Sequence, residues 1–166
     1  MKKMHLAMIA FGASAILALG AVIAMANSHD AVKTVLVGYQ EVPANSTTGN
    51  GSFEAELGHK SIDYRLAYGH LEGGTVLFAH IHLGRTATNG GVAVFLCGGG
   101  GKPTCPQSGV VEGTIVPADV VGPSGQGIEP GEFRELVRAI RRNATYINVH
   151  TEAFPGGEIR GNLIAS

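Results

Sequence analysis

The chain is poor in positive charge, sulfur and long apolar runs, and each shortage removes a class of function. Of 166 residues, 12 are Lys or Arg and 13 are Asp or Glu. Two of the basic residues, Lys2 and Lys3, sit at the extreme N-terminus, which leaves ten against thirteen acidic residues beyond it, a net charge of −3. Nucleic-acid binding calls for a basic patch, so a nucleic-acid partner is not expected. Only one long apolar stretch occurs, at the N-terminus, so no further membrane span is expected. Methionine-rich and cysteine-rich motifs that would hold Cu(I) are missing beyond that stretch, which argues against a copper store or chaperone. No internal repeat and no low-complexity linker is present.

The N-terminus has the pattern of a secretory signal. Lys2 and Lys3 form a basic start, Leu6 to Ala26 is apolar or small, and Ala24-Met25-Ala26 fits the small-x-small cleavage rule. Residues 1–26 are therefore expected to be a signal peptide and residues 27–166 a single domain, of a size suited to one core. The protein is then secreted or periplasmic, with no membrane contact after cleavage. The alternative is an uncleaved anchor, because about 20 apolar residues just span a bilayer. Cys97 and Cys105, the only two cysteines, bracket a glycine-rich loop. Export into an oxidising compartment favours a disulfide between them over free thiols. Asn45-Ser46-Thr47 and Asn143-Ala144-Thr145 fit the glycosylation sequon, which matters only in a eukaryotic secretory route.

What is present is β-patterned. Ser52 to Leu57 alternates, with Phe53, Ala55 and Leu57 on one side and Glu54 and Glu56 on the other. Ser61 to Tyr68 does the same with Ile62, Tyr64, Leu66 and Tyr68. Further strands are expected over 32–39, 75–83, 91–96, 110–116, 145–151 and 158–164, with glycine and proline between them. One stretch breaks the pattern. From Pro130 to Arg142, Phe133, Leu136, Val137 and Ile140 recur at helical spacing, with glutamates early and arginines late. The fold class is all-β: a Greek-key-like antiparallel sandwich or flattened barrel of about eight strands, with one short amphipathic helix over about 130–142. Alternation of this kind implies that each strand keeps one solvent-facing side.

The chemical handle is histidine. His80 and His82 are two apart in Ala79-His80-Ile81-His82-Leu83, so on a strand they project from one side, with Cα atoms roughly 6.5–7 Å apart. His150 lies in a second strand, Tyr146 to Thr151, on the same side as Asn148 and opposite Ile147 and Val149. If the strands are neighbours, three imidazoles converge, and a shared metal requires their nitrogens within ~4 Å, given bonds of 2.0–2.1 Å. The alternative is a hydrogen-bonded structural cluster that serves a non-catalytic module binding an extracellular protein or surface. Glu158, Arg160 and Asn162 are expected to share the outer face of the strand that follows. His59, in a turn, and His29, near the start of the domain, are expected to be exposed.

Gln40-Glu41-Val42-Pro43, then Ala79 to Gly84, then Tyr146 to Thr151 with Gly157-Glu158-Ile159-Arg160-Gly161, together resemble the CHRD domain family over about residues 32–164. That resemblance implies an exported β-sandwich module and no agreed activity. A fainter resemblance is to the copper/zinc superoxide dismutases. It implies that His80, His82 and His150 match three copper ligands, and that Arg160 matches an anion-guiding arginine beside the metal. Residues 85–109 contain no histidine, so there is no bridging imidazole and no zinc cluster. The site implied is mononuclear, with three histidines plus water or a carboxylate, with Glu41, Glu158 and His70 as candidates for the extra position, with copper favoured over zinc, and with a small anion such as superoxide as its partner.

Overall fold

The structure is a computed structural model that describes residues 30–165. The expected signal peptide and His29 lie outside the described residues.

Nine strands and one helix follow one another as β1 (Asp30–Val37), β2 (Asn50–Leu57), β3 (Ile62–Gly69), β4 (Val76–Leu83), β5 (Val92–Cys97), β6 (Gly109–Ile115), α1 (Phe133–Arg141), β7 (Thr145–Thr151), β8 (Ile159–Asn162) and β9 (Ile164–Ala165). They form one sheet in the order β5-β4-β7-β8-β1-β2-β3-β6, with β9 paired to β1. All pairings are antiparallel. The two ends of this order come together. Val94 of β5 bridges Val120, which follows β6, and the Tyr64 hydroxyl of β3 donates to the Leu96 carbonyl of β5 at 3.1 Å. The sheet is thus a nearly closed barrel, and the choice between sandwich and barrel resolves toward the barrel. Closure leaves few unpaired edge groups.

Alternation builds the core. Phe53, Ala55 and Leu57 of β2 and Ile62, Tyr64, Leu66 and Tyr68 of β3 are buried, while Glu54 and Glu56 are exposed. Val32 and Leu36 of β1 and Ala79, Ile81, Ile147, Val149 and Ile159 fill the same interior. The first strand stops at Val37 instead of Tyr39. The chain turns through a 3-10 segment at Gly38–Gln40, which leaves Tyr39 outside and carries Glu41 inward.

The helix buries the four residues that its spacing selects, Phe133, Leu136, Val137 and Ile140. It is shorter than the expected 130–142. Gly131 has φ +87°, outside the right-handed region, so Pro130 cannot belong to the first turn. At the other end Asn143, with φ +53°, terminates it in the left-handed conformation common after a helix. Cys97 and Cys105 are bonded to each other, the pairing expected of them.

Candidate functional site

The register of β4 and β7 assembles the site. His82 lies opposite Tyr146, His80 opposite Asn148 and Phe78 opposite His150. On the other side of β7, Asn148 lies opposite Arg160 and Tyr146 opposite Asn162 of β8. With alternate residues projecting to opposite sides, these partners share the outer face of the barrel, while their neighbours in sequence fill its interior. The three histidines foreseen from spacing are therefore on one face and on adjacent strands.

That face is not solvent-facing. His80, His82 and His150 are 6%, 7% and 7% exposed, Asn148 is 2% and Arg160 0%. Three loop segments lie against it: residues 84–91, whose Thr88 and Gly90 carbonyls meet Arg160 and His82, the turn after β1 that brings Glu41 to Asn148, and the turn at 155–157, whose Pro155 carbonyl meets His150. The expectation of one wet side per strand fails for β7, whose seven residues are all buried.

Two loop carbonyls orient the rings. Nδ1 of His82 donates to the Gly90 carbonyl at 2.9 Å, and Nδ1 of His150 donates to the Pro155 carbonyl at 3.0 Å. A ring nitrogen opposite a carbonyl oxygen must carry the hydrogen, so each neutral ring keeps its lone pair on Nε2. Such outer partners hold metal-binding histidines in one tautomer. Nε2 of His82 is buried without a hydrogen-bond partner. His80 turns Nδ1 toward Nε2 of His150 at 3.2 Å, and its own Nε2 is buried and unpartnered. One nitrogen from each ring falls within 4.8 Å of the others. That span exceeds the ~4 Å expected of ligands already closed on an ion. Ligands on opposite sides of a metal with 2.0–2.1 Å bonds are about 4.1 Å apart, so the widest pair must approach by at least roughly 0.7 Å, and by about 1.4 Å at the tetrahedral angle, to share an ion.

Aromatic contacts fix the rings further. His82 stacks on Tyr146 with centroids 4.7 Å apart and planes at 3°. His80 meets Phe95 edge-on at 4.5 Å and stacks on Phe78 at 5.6 Å. Burial in this setting, with the neighbouring His150 and His82 adding to it, pushes the His80 pKa down to about 3. Burial likewise takes His82 down to about 4 and lowers His150. The rings are therefore held neutral, the form that binds a cation.

Arg160 is wholly buried. Its guanidinium lies over Tyr146, with Cζ 3.4 Å from the ring centroid. Its terminal nitrogens donate to Asn89 Oδ1 at 3.2 Å and to the carbonyls of Arg85 and Thr88 at 3.2 and 2.7 Å. It thereby pins the loop that supplies the Gly90 carbonyl. Glu41 is also buried. Burial raises its pKa to about 7 against the opposing pull of Arg160 and a hydrogen bond from Asn148. Gly157 has to lack a side chain here, since a Cβ would lie 2.2 Å from Glu41 Oε1 and 2.6 Å from Asn148 Nδ2.

Glu158 does not share the Arg160 face. It sits at the bend before β8, and its carboxylate accepts hydrogen bonds from the backbone N–H of Glu72 and Gly73 and from the hydroxyls of Thr47 and Thr151, at 2.6–3.0 Å. Burial raises its pKa, but those donors outweigh it and hold the carboxyl below its usual value. His70 is exposed at the end of β3, with φ +55°, and His59 is exposed in its turn. Neither Glu41, Glu158 nor His70 joins the three histidines in the metal-sized group found among the described residues.

Sequence spacing does not reveal Gly90 and Pro155, whose carbonyls set the tautomers, nor Phe95. They reach the site through loops and a neighbouring strand, which carry no periodic signal. Gln40 had a signal of a kind, in the Gln-Glu-Val-Pro run. Its Oε1 accepts from Asn162 Nδ2 at 3.1 Å, and the Val42 carbonyl accepts from Asn89 Nδ2 at 3.0 Å, so this run ties its turn to the polar face.

Among the described residues, no helix is long and apolar enough to cross a membrane. No curated protein and no solved structure is significantly similar to the chain. A family model described as the CHRD domain matches residues 32–163, from the first strand of the barrel to the end of β8 and across every residue of the histidine face. The chain belongs to the CHRD domain family.

Proposed function

We propose that this protein is an exported module that binds one transition-metal ion through His80, His82 and His150. One observation carries the reading. Two of the three rings give their Nδ1 hydrogens to loop carbonyls, so their Nε2 lone pairs face a shared buried space together with His80. A cluster built only to be hydrogen-bonded has no need to leave Nε2 of His82 without a partner.

Copper is favoured over zinc. Imidazole suits both, and the affinity order for first-row divalent ions peaks at copper. The four methionines all lie in residues 1–25, and both cysteines are consumed in the disulfide, so the domain offers no sulfur ligand. Bound copper supplies one-electron chemistry, with a small anion such as superoxide as the natural reactant class. The chain's own residues contribute position. Gly90 and Pro155 hold the ring tautomers, Tyr146 and Phe95 hold the ring planes, and Arg160 holds the covering loop. In this reading Arg160 acts on an anion only through the charge it places beneath that loop. Family membership and the N-terminal signal pattern support export.

A second reading is a structural cluster in a non-catalytic binding module. The 3.2 Å approach of His80 Nδ1 to His150 Nε2 favours it, because a hydrogen on His80 Nδ1 can be donated to the His150 lone pair at that distance. Elemental analysis of protein purified from an exported fraction separates the two. The metal reading expects about one equivalent of copper or zinc in the wild type and little in His80→Ala. Negligible metal in both, or equal metal in both, rejects it. Superoxide dismutation by the copper-loaded protein, measured against free copper, then tests the redox chemistry. A rate no better than free copper rejects that chemistry alone.

A further inference from the structure

We infer that Asn148 is the fourth ligand of the site, so that the ion sits in a neutral set of three imidazole nitrogens and one carboxamide oxygen. The inference rests on the three-histidine reading and adds a residue to it.

Asn148 occupies the centre of the cluster. It is the cross-strand partner of His80 and lies two residues before His150 on the same side of β7. Its Oδ1 is 2.9 Å from Nε2 of His150, which is itself 3.2 Å from Nδ1 of His80. The orientation of the carboxamide is determined by its other end. Nδ2 faces the Glu41 carboxylate and, at 3.5 Å, the Gly156 carbonyl. The Gly156 carbonyl can only accept, and the ionised Glu41 carboxylate accepts from Asn148, so a flipped amide would set oxygen against oxygen on that side. Oδ1 therefore points at the histidines.

His150 Nε2 cannot be the donor that Oδ1 needs while the ring is neutral. Its single hydrogen is on Nδ1, directed at the Pro155 carbonyl. Two lone-pair atoms, Nε2 of His150 and Oδ1 of Asn148, thus face each other at hydrogen-bond distance with no hydrogen between them. A proton placed there would make His150 a buried cation, and among the described residues no carboxylate forms an ion pair with it. A metal ion satisfies both atoms at once. With bonds of 2.0–2.1 Å, neighbouring ligands lie about 2.9 Å apart at a right angle and about 3.3–3.4 Å apart at the tetrahedral angle. The 2.9 and 3.2 Å separations fall at and between those values.

The donor set defines the class of ion. Imidazole suits copper and zinc, carbonyl oxygen is a hard donor, and no sulfur is present. Such a set takes a borderline divalent ion, Cu(II) or Zn(II). Without an anionic ligand the bound ion keeps its full charge.

The test uses the full purified protein and Cu(II) alone. Wild type labelled with ¹³C at the asparagine side-chain carbonyl is loaded with one equivalent of Cu(II) and examined by electron–nuclear double resonance. Ligation predicts an isotropic ¹³C coupling from one asparagine, since only a bonded oxygen relays unpaired spin to its carbon. A purely dipolar coupling overturns the inference and leaves Asn148 beside the ion. In parallel, Asn148→Ala is expected to weaken Cu(II) affinity by at least about tenfold. An unchanged affinity in a folded variant also overturns it, and if the variant does not fold, the wild-type spectrum decides alone. Failure of the three-histidine reading looks different: the wild type then takes up no stoichiometric Cu(II), or His82→Ala takes up as much as the wild type.

Discussion

Nδ1 of His80 and Nε2 of His150 lie 3.2 Å apart across the β4–β7 pair. Two residues distant by 70 positions in sequence are thus brought to hydrogen-bond distance on a face that loops seal from water. Neutral rings suit that environment and charged ones do not, which gives the fold a characteristic response to acid.

The metal-free protein should lose stability as pH falls below 6.5. His80 and His82 have pKa values of about 3 and about 4 when folded, against 6.5 when unfolded. Between pH 6.5 and 4 the unfolded chain binds more protons, so stability falls with pH. Glu41 acts in the opposite sense. Its folded pKa of about 7, against 4.5, makes the folded state the better proton binder between pH 4.5 and 7. The protons of His80 and His82 against the one of Glu41 leave a loss of at least about 1.4 kcal/mol per pH unit between pH 6.5 and 4.5, to which His150, its pKa also lowered by burial, adds in the same sense. Urea unfolding in a chelator across pH 4.5–8 measures it. Glu41→Gln should steepen the acid slope and raise stability at pH 8 by up to about 3 kcal/mol. A flat profile would show that the rings are not desolvated as described.

Arg160→Ala should loosen the covering loop. It removes the donors to Arg85, Thr88 and Asn89 and the stack on Tyr146, and leaves buried acceptors unpaired, at a cost of about 3 kcal/mol or more. Hydrogen exchange should accelerate over residues 84–91 more than over β2 and β3. Uniform exchange across the barrel would contradict the loop-pinning role.

Glu158→Gln tests the other buried carboxylate. One oxygen of a neutral amide cannot replace a carboxylate that accepts from four donors, so about 2–3 kcal/mol of stability should be lost. Metal affinity should hold to within a few-fold in the folded fraction, because this carboxylate faces Thr47 and the 72–73 turn and not the histidines. A metal loss as deep as that of a histidine variant would place Glu158 in the site after all.

The disulfide should show as two hydrogens missing from the mass of the unreduced protein. Its removal by Cys97→Ala with Cys105→Ala should cost about 2–3 kcal/mol, from the loop entropy of a separation of eight residues. Two freely alkylated thiols in the native protein would contradict it.

Much of this architecture was legible in the chain because alternation at period two reports which side of a strand is buried. Phe53, Ala55 and Leu57 against Glu54 and Glu56 is that signal in its plainest form, and His80, His82 and His150 could be placed on one face by the same rule. The rule fails where both sides of a strand are buried. The outer face of β7 looks solvent-facing in sequence, since Asn148 and His150 are polar, yet loops that carry no periodicity fold over it. Simple alternation puts Glu158 on the Arg160 face. The bend at Gly157–Glu158, with φ +122° at Gly157, breaks the strand one residue too early for that count to apply. Loop carbonyls such as those of Gly90 and Pro155 are invisible to any side-chain pattern, and they are what decide which ring nitrogens are free.

The most direct test of the shared metal site is a competitive Cu(II) titration of the metal-free protein, repeated with His82→Ala. His82 is the informative position because its Nε2 has no hydrogen-bond partner to lose. One tight equivalent in the wild type, weakened by at least about a hundredfold in the variant while the fold is retained, is the predicted result. Indistinguishable titrations of the two proteins would contradict it and leave the cluster as a set of buried, hydrogen-bonded rings.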